Sequence, residues 1–451
     1  MARLGVDGDR LLARLAALAQ VSDEGPGVTR LAYSPADVRA RDMVAGWMAE
    51  AGLEVWVDAA TNLIGRLPGR CVPGDGVPGD GLPGDGVPGD GRSGGALPGG
   101  GGRCSHYLST GSHLDTVVQA GALDGAYGVV AAVEVAATLA RSGGLDHSLV
   151  VVAFANEEGA RGTAGLNGSR AIGRPDTVDL AARDDEGVSL GDRLRAAGGD
   201  ASRIGSAAWR PGALLAHVEL HVEQGPILDR SGQSIGAVEA ITGQRQLEVE
   251  IVGQANHAGT TPMAGRRDAL VAAALFIAAV EHVTGPGGVR VATVGRLAME
   301  PNVRNVVPGR VRLTVDLRDA ERQRIDAATT ELERQGQRIA VERDVTVSLR
   351  VLHDVPPTPC HPVVCDAVSQ AAEHLGLAWQ PMVSGASHDT QSMTALGPVG
   401  MIFVPSTGGV SHAPGESTAR DDLIAGAEVL LATLSRLDRG PLCPRQRRVA
   451  G

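Results

Sequence analysis

Apolar residues recur with helical spacing in some segments of the chain and form unbroken runs in others. The segment SPADVRARDMVAGWMAE, residues 34–50, begins with a Ser-Pro start signal and predicts a helix, as does GVVAAVEVAATLARSG. The run HSLVVVAFA predicts a fully apolar strand that ends at NEEG, and ALLAHVELHV predicts another strand. This alternation predicts an α/β fold with a mostly parallel sheet, whose sites form beyond the carboxyl ends of the strands.

The hydrophobic pattern changes near residue 245. QLEVEIVG and RVRLTVDLRD alternate strictly between apolar and polar residues, while RRDALVAAALFIAAVEHV and residues 319–343 have helical character. Strands of period two combined with two helices predict an α+β sandwich inserted into the first domain. We therefore predict one domain formed by residues 1–240 and 350–451, and an inserted domain formed by residues 241–349.

A low-complexity stretch, VPGDGVPGDGLPGDGVPGDG, interrupts the first domain. A short repeat of Gly, Pro and Asp has no apolar face to bury, so residues 72–101 are predicted to form a disordered surface loop. The stretch contains G-x-G-x-x-G and G-x-S-x-G matches, but neither is flanked by the strand and helix that nucleotide binding or a nucleophile elbow requires. These matches therefore carry no function.

Composition excludes several classes of protein. Net charge is −11, aromatic residues make up 2% of the chain, and no long basic run occurs, so a nucleic-acid partner is not expected. All 41 basic side chains are arginine, which excludes a Walker A lysine and Schiff-base chemistry. Five cysteines without a Cys-x-x-Cys pair, no signal peptide and no apolar run of membrane length predict a soluble, cytoplasmic protein with no membrane partner.

Asp, Glu and His recur beside glycines at the ends of predicted strands. The stretch GSHLDTVVQAGALDGAYG supplies three of these residues, and the others follow later strands: His113, Asp115, Asp124, Glu157, Glu158, His221 and His412. A single histidine at a strand end is usually a structural residue, and adjacent glutamates usually face solvent. The recurrence of such clusters indicates a metal site, and imidazole and carboxylate ligands without thiolate suit Zn²⁺ or a harder divalent ion.

Nine motifs together resemble one family. They are GSHLDT, LDGAYG, NEEGAR, ELHVEQGP, NHAGTTPM, NVVPG, VDLRD, SGASHDTQ and GGVSHAPGE. On these motifs the sequence resembles the metal-dependent amidohydrolases of the M20 peptidase superfamily, and within them the group of allantoate amidohydrolases and N-carbamoyl-L-amino-acid hydrolases. The resemblance covers nearly the whole chain except the Gly-Pro-Asp stretch.

The resemblance implies two divalent metal ions per subunit, Zn²⁺ or Mn²⁺, with Co²⁺ or Ni²⁺ as alternatives. The ligand positions of the family fall here on His113, Asp124 and His221 for one ion, and on Asp124, Glu158 and His412 for the other. Glu157 matches the general base, which would take a proton from the attacking water and pass it to the leaving nitrogen. Asp115 would hydrogen-bond and orient His113. Members also have a strained peptide bond after the bridging aspartate, which would explain Gly125.

The substrate-contacting positions of the family match four further residues: Gln224, His257, Asn305 and Arg318. The planar fork of Arg318 suits a carboxylate, and His257 would act in catalysis by polarising the scissile carbonyl. The implied partner is a small-molecule ureido acid. In relatives the inserted domain forms the dimer contact, so the resemblance implies a homodimer and a combined lid and dimerisation role for residues 241–349.

The sequence departs from the family pattern at two positions. Gly162 stands where many relatives have an aromatic residue, and Ser387 stands where they usually have glycine, so His388 and Asp389 receive no role. The segments GQSIGAVEAITGQR and SHLDTVV favour an allantoate amidohydrolase that releases ammonia and carbon dioxide. The alternatives are an N-carbamoyl-L-amino-acid hydrolase, including a β-ureidopropionase-like enzyme, then an aminoacylase or dipeptidase, and finally an inactive, metal-free scaffold. The presence of every ligand and of Glu157 argues against the scaffold.

Overall fold

A computed structural model describes residues 5–70 and 106–442, so the predicted loop at 72–101 lies outside the described residues. The chain divides into two compact units, one formed by 1–239, 360–382 and 388–451, and the other by 240–359 and 383–387. The second unit extends beyond the predicted boundary at residue 350. The reason is that the strand Thr346–Val355 continues through that position and packs Val347 and Leu349 against the core of the second unit.

Strands and helices alternate through much of the described chain. In chain order the strands are β1 (Glu54–Val57), β2 (Leu63–Leu67), β3 (Tyr107–His113), β4 (Leu149–Phe154), β5 (Leu214–Val222), β6 (Ile235–Ile241), β7 (Gly243–Val252), β8 (Asn256–His257), β9 (Val291–Glu300), β10 (Val306–Val307), β11 (Arg310–Asp319), β12 (Thr346–Val355), β13 (Thr358–Pro359), β14 (Trp379–Ser384) and β15 (Val399–Val404). The α-helices are α1 (Gly8–Ala19), α2 (Pro35–Glu50), α3 (Ala126–Arg141), α4 (Asn167–Gly173), α5 (Leu190–Ala196), α6 (Ile227–Ser231), α7 (Ala269–His282), α8 (Arg322–Arg343), α9 (Pro362–Leu375), α10 (Thr390–Met393) and α11 (Arg420–Leu437). Short 3₁₀ helices span Pro175–Thr177, Ala201–Ala207 and Thr407–Gly409.

The first unit is built on a large mixed sheet with the strand order β1-β2-β4-β3-β5-β15-β6, and β14 also pairs with β6. The central neighbours β4, β3, β5 and β15 run parallel. The outer pairs β1/β2, β2/β4 and β15/β6 are antiparallel. The predicted α/β fold with a large sheet is therefore confirmed, and its parallel strands occupy the centre.

Helices cover the central strands, as their apolar sequences require. Every residue of β4 and β5 is buried. In α3 the residues from Ala126 to Leu139 are buried as well, because this helix packs against the sheet and against α1, α2 and α11. Alternate residues of β5, such as Val218 and Leu220, join that apolar core. The intervening residues of β5 are polar, and they place a buried polar stripe on the other face of the sheet.

The second unit contains an antiparallel sheet in the order β12-β7-β11-β9. Burial alternates along β7 and β11, as the period-two pattern predicts, and the buried residues pack against α7 and α8. A separate two-stranded ribbon joins β8 to β10. Among residues 5–70 and 106–442, none of the helices combines the length and the apolar character needed to span a bilayer.

Candidate metal centre

The parallel strands bring the predicted ligands to one edge of the first sheet. His113 is the last residue of β3, Glu157 and Glu158 follow β4, His221 is the penultimate residue of β5, and His412 follows β15. Because these four strands are parallel neighbours, their carboxyl ends meet at the same edge. The parallel topology therefore gathers residues that are up to three hundred positions apart in the sequence.

The two carboxylate oxygens of Asp124 face different histidines. Its Oδ1 lies 3.1 Å from Nε2 of His221 and 3.6 Å from Nε2 of His113. Its Oδ2 lies 3.1 Å from Nε2 of His412, which is itself 3.5 Å from Oε1 of Glu158. Within each of the two sets, the potential ligand atoms lie within 4.8 Å of one another. The sets share Asp124, as the sequence prediction has them.

Backbone carbonyls orient two of the histidines. Nδ1 of His113 lies 2.9 Å from the carbonyl oxygen of Asp115, and Nδ1 of His221 lies 2.8 Å from that of Val222. A carbonyl only accepts, so these contacts assign a proton to Nδ1 of each ring and fix the direction in which Nε2 points, which is toward Asp124. The carboxylate of Asp115 is 3.8 Å from Nδ1 of His113, so the expected carboxylate bond is made by the carbonyl of the same residue instead.

The Asp115 carboxylate holds the two glutamates. Its oxygens accept the backbone N–H groups of Glu157 at 3.1 Å and of Glu158 at 3.2 Å. Asp115 is 1% exposed, so water does not compete for these bonds. One residue therefore orients His113 through its carbonyl and fixes the backbone of both glutamates through its side chain.

Gly125 occupies a turn that only glycine fits. Its φ of 62° and ψ of −50°, with a 2.6 Å hydrogen bond from the N–H of Ala126 to the carbonyl of Asp124, define a strained γ-turn with positive φ. A Cβ at this position would overlap the ring of His113. The strain that the family resemblance implies after Asp124 is thus located in the backbone angles of Gly125.

The Asp124 carboxylate favours positive charge at the imidazole nitrogens around it. Burial opposes its ionisation, but hydrogen bonds from His113, His221 and His412 hold the pKa of Asp124 well below its usual range. In return the hydrogen bond to Asp124 raises the pKa of His412 to about 9. The electrostatics of this position therefore favour a cation next to Asp124.

The pKa values of Glu157 and Glu158 are raised, whereas that of Asp124 is lowered. Burial, with the charge of Asp124 adding to it, raises the pKa of Glu158 to about 7. Burial also raises the pKa of Glu157 well above its usual range. Oε1 of Glu158 is buried and has no hydrogen-bond partner among the described residues. Crowded carboxylates, an unpartnered carboxylate oxygen and three imidazole rings form a donor set that fits divalent metal ions.

Gln224 contacts this centre directly. Its Nε2 donates to Oδ2 of Asp124 at 2.7 Å, while its backbone N–H donates to Oγ of Ser406 at 3.0 Å. The positive φ of 59° at Gln224 turns the chain as it leaves β5. This predicted substrate residue therefore lies beside the predicted metal ligands of the first unit.

The other three predicted substrate residues belong to the second unit. His257 and Asn305 are neighbours at the β8–β10 ribbon, where the N–H of Ala258 donates to the carbonyl of Asn305 at 3.0 Å. Arg318 lies on β11, where its Nε donates to Oδ1 of Asp316 at 3.0 Å and its Nη1 donates to the carbonyl of Gly385 at 3.0 Å. Fixed partners thus hold the guanidinium in one orientation.

The structure explains one departure from the family pattern, Gly162, and shows where His388, which received no role, is placed. Gly162 has a φ of 92°, and a Cβ there would overlap the carboxylate of Asp185, so this backbone does not admit an aromatic residue. The buried ring of His388 packs edge-on against His221, with ring centroids 4.8 Å apart, and burial holds the pKa of His388 well below its usual range. His388 therefore packs as a neutral ring against His221, which is one of the predicted metal ligands.

A third set of potential ligands combines Glu219, His221 and His388. Both oxygens of Glu219 are already hydrogen-bonded, by Oγ of Ser112 at 2.8 Å and by the N–H and Oγ of Thr390 at 3.0 and 2.6 Å. Because Glu219 has these partners and Nδ1 of His221 bonds to the carbonyl of Val222, this set is a hydrogen-bonded part of the scaffold.

Sequence reasoning gave no role to Glu416, although the motif GGVSHAPGE contains it. Its carboxylate accepts the backbone N–H groups of Leu123 at 2.9 Å and of Asp124 at 3.1 Å. The only signal in the sequence is a carboxylate four residues after His412. The sequence does not show that this carboxylate bonds to the Asp124 loop, because the two segments are almost three hundred residues apart.

Comparison with known proteins gives a consistent result. The model of peptidase family M20/M25/M40 matches residues 110–436. The chain is 39% identical over 440 residues to an N-carbamoyl-L-amino acid amidohydrolase of Geobacillus stearothermophilus, covering 96% of this chain and 100% of the relative. It is 34% identical over 422 residues to the allantoate amidohydrolase of Escherichia coli K12, covering 92% and 94%.

A solved structure agrees with these sequence matches. A hydantoinase/carbamoylase family amidase from Burkholderia multivorans superposes with a TM-score of 0.81 at 33% identity. The alignment covers 97% of this chain and 99% of the amidase. The similarity therefore extends over both compact units.

Proposed function

This chain belongs to peptidase family M20/M25/M40, and on that premise we propose that it is a dinuclear-metal amidohydrolase that cleaves the ureido C–N bond of a small carboxylic acid. The observation that carries the proposal is Asp124, whose Oδ1 faces His113 and His221 while its Oδ2 faces His412. A carboxylate placed in this way can bridge two ions, as two-metal hydrolysis requires.

The ligand sets follow from the two oxygens of Asp124. One ion would be held by His113, Asp124 and His221, and the other by Asp124, Glu158 and His412. Two ions of Zn²⁺ or Mn²⁺, with Co²⁺ or Ni²⁺ as alternatives, would supply Lewis-acid polarisation of the scissile carbonyl and lower the pKa of water. The chain itself supplies the orientation of the ligands and the movement of protons.

Glu157 is the proposed general base. The carboxylate of Asp115 fixes the backbone of Glu157. Oε2 of Glu157 lies 3.9 Å from Nε2 of His113, beside the first ligand set. The raised pKa of Glu157 suits a group that accepts a proton from the attacking water. The same carboxyl would then donate that proton to the leaving nitrogen.

The second unit supplies the proposed substrate contacts. Nδ1 of His257 accepts the N–H groups of Gly259 at 3.1 Å and of Thr260 at 3.2 Å, which leaves Nε2 as the donor of a neutral imidazole. Such a donor suits the carbonyl oxygen of a ureido group. Asp316 accepts Nε of Arg318 at 3.0 Å and Nη2 at 3.4 Å, and the carbonyl of Gly385 accepts Nη1 at 3.0 Å. One further N–H on each Nη nitrogen remains to donate to a substrate carboxylate. Asn305, beside His257, and Gln224 complete the proposed set.

Two ureido acids are candidate substrates. Allantoate is the substrate that the sequence resemblance favours, and the match to the Escherichia coli allantoate amidohydrolase supports it. N-carbamoyl-L-amino acids are the second candidate, supported by the 39% identity to the Geobacillus enzyme. Both candidates have a ureido group near a carboxylate, so the residues named above suit either of them.

A substrate panel tests the proposal. Protein stripped with a chelator and then reloaded with Mn²⁺ or Zn²⁺ would be assayed with allantoate, N-carbamoyl-L-amino acids, an N-acetyl amino acid and a dipeptide. We expect ammonia release from at least one ureido acid, only in the loaded protein. Cleavage of the acetyl or peptide substrate alone would replace the proposed reaction by that of an aminoacylase or dipeptidase. No turnover and no bound metal would favour the scaffold.

The oligomeric state is also a proposal. We propose a homodimer formed through the second unit, because β9 and β12 expose large apolar side chains, including Val291, Leu297, Val351 and Leu352. Light scattering coupled to gel filtration would measure the mass. A monomer that does not change with concentration would contradict the proposal.

A further inference from the structure

The side chain of Glu416 joins two segments that carry metal ligands. One oxygen, Oε2, accepts the N–H groups of Leu123 at 2.9 Å and of Asp124 at 3.1 Å. The other oxygen, Oε1, accepts the hydroxyl of Ser411 at 3.1 Å, directly before His412. Glu416 is only 8% exposed, so these bonds form in a water-poor environment, where charge-assisted hydrogen bonds are strong.

The Asp124 loop is shaped around this carboxylate. A Cβ at Gly121 would overlap both the Cβ and the carboxylate of Glu416, so the backbone approaches the side chain as closely as glycine permits. Leu123 and Asp124 then point consecutive N–H groups at the same oxygen. The backbone of the Asp124 loop is thus shaped to bind the carboxylate of Glu416.

His412 depends on such support more than the other two histidines do. His113 and His221 lie in buried strands, and each has its own Nδ1 contact to a carbonyl. His412 lies in a loop with a positive φ of 54°, and its side chain is 45% exposed. The neighbouring Ser411 is attached by its hydroxyl, which reaches Glu416 and also lies 3.3 Å from Oδ2 of Asp124.

We propose that Glu416 is a positioning residue for the cation held by Asp124, Glu158 and His412. This inference rests on the proposed function, since it assumes the two ligand sets named there. Glu416 acts in two ways: it fixes the His412 loop against the Asp124 loop, and its negative charge attracts the cation without touching it. The affinity of the set formed by His113, Asp124 and His221 for its own cation depends less on Glu416.

The asymmetry has a structural basis. Without Glu416, Asp124 keeps two other anchors, which are the γ-turn bond from Ala126 to its carbonyl and the N–H of Gly125, which donates to Nε2 of His221 at 3.1 Å. The first anchor holds the turn that follows Asp124, and the second ties that turn to His221 of the first ligand set. The His412 loop keeps side-chain contacts to Oδ2 of Asp124 from His412 at 3.1 Å and from Ser411 at 3.3 Å, but it loses its link to the backbone of the Asp124 loop.

The test uses Co²⁺ alone as the probe and the full chain. Chelator-stripped wild type, Glu416→Gln, Ser411→Ala and Ser411→Thr would be titrated with Co²⁺ against a chromophoric competitor, and bound metal counted after dialysis. We expect two ions in the wild type. In Glu416→Gln we expect the first ion to bind as in the wild type and the second to bind about 10- to 100-fold more weakly. Ser411→Ala should weaken the same ion, and Ser411→Thr should restore it.

Asp438→Asn is the matched control. Asp438 is 1% exposed and likewise accepts two backbone N–H groups, from Asp146 at 2.8 Å and His147 at 2.9 Å, without contact to a ligand. The substitution Asp438→Asn should lower the melting temperature and leave the affinities for both Co²⁺ ions unchanged. An equal loss of the second ion in Asp438→Asn would show general destabilisation and would overturn the positioning role.

Other outcomes separate this inference from the proposed function. If Glu416→Gln keeps both ions at wild-type affinity, the positioning role is wrong while the proposed function stands. If the wild type itself binds no Co²⁺, the proposed function fails and the inference fails with it. Should Glu416→Gln not fold, the pair Ser411→Ala and Ser411→Thr decides the question, since an unchanged second ion in both would contradict the role.

Discussion

The carboxylate of Asp115 accepts the backbone N–H of Glu157 at 3.1 Å, so the proposed base is positioned through its main chain. This contact leaves the Glu157 side chain free to exchange a proton. It also links the base to the first ligand set, because the carbonyl of Asp115 orients His113. The proposed base Glu157 and the proposed metal ligand His113 therefore share one anchoring residue, Asp115.

The first prediction concerns the base. Glu157→Gln preserves the shape of the side chain and removes its ability to accept a proton, so kcat should fall by at least about 10²- to 10⁴-fold. Metal content and melting temperature should match the wild type. Ammonia release measured together with elemental analysis checks both parts, and wild-type turnover with both ions bound would refute the role of Glu157.

The second prediction concerns the bridging carboxylate. Asp124→Ala removes the atoms that face all three histidines, so both ions should be lost after dialysis. Stabilisation by added Zn²⁺ or Mn²⁺, measured as a shift in melting temperature, should disappear with them. A variant that retains two ions at wild-type affinity would show that Asp124 does not bridge them.

Much of the centre could be predicted from the sequence because its ligands stand in recognisable motifs at strand ends. The exact contacts could not be predicted. Asp115 has both a carbonyl and a carboxylate, and only the turn geometry decides that the carbonyl meets His113. The antiparallel outer strands and the extent of β12 were also not predicted, since pairing partners and strand ends depend on tertiary packing.

The third prediction concerns substrate binding. Arg318→Ala should lower kcat/KM for ureido acids by an amount equivalent to about 2–5 kcal/mol, because the substrate carboxylate loses its charged partner. Arg318→Lys should recover little, since an ammonium group cannot contact Asp316, Gly385 and a carboxylate with the same planar fork. Metal content should stay unchanged in both variants.

A control on the same strand sharpens this comparison. Arg312 also lies on β11, and it is exposed and bonded to Glu250 at 3.0 Å. Arg312→Ala should leave kcat/KM close to the wild type. Equal effects of the two substitutions, or a fully active Arg318→Ala, would mean that Arg318 does not bind the carboxylate.

The fourth prediction concerns pH. Burial lowers the pKa of His217 to about 3, and its Nε2 has no hydrogen-bond partner among the described residues. The folded protein therefore keeps this ring neutral, whereas the unfolded chain protonates it below a pKa of about 6.5. Its contribution to stability is present above pH 6.5 and is lost as the pH falls toward 3, by about 1.4 kcal/mol per pH unit.

Melting temperatures measured between pH 7 and pH 5 check this dependence. His217→Gln should lose less stability than the wild type over that interval, even if it is less stable at pH 7. His374→Gln, a substitution at an exposed histidine of α9, should follow the wild-type curve. If the curve of His217→Gln is parallel to that of the wild type, His217 does not contribute to the acid sensitivity.

The position of β15 in the sheet has a consequence for biogenesis. This strand comes late in the chain, yet it lies between β5 and β6, parallel to the first and antiparallel to the second. A nascent chain therefore cannot close the central sheet until Val399–Val404 has left the ribosome, and His412 follows only after that. Most of the second unit, residues 240–359, has been synthesised by then. The candidate ligand set that includes His412 is therefore completed late in the synthesis of the chain.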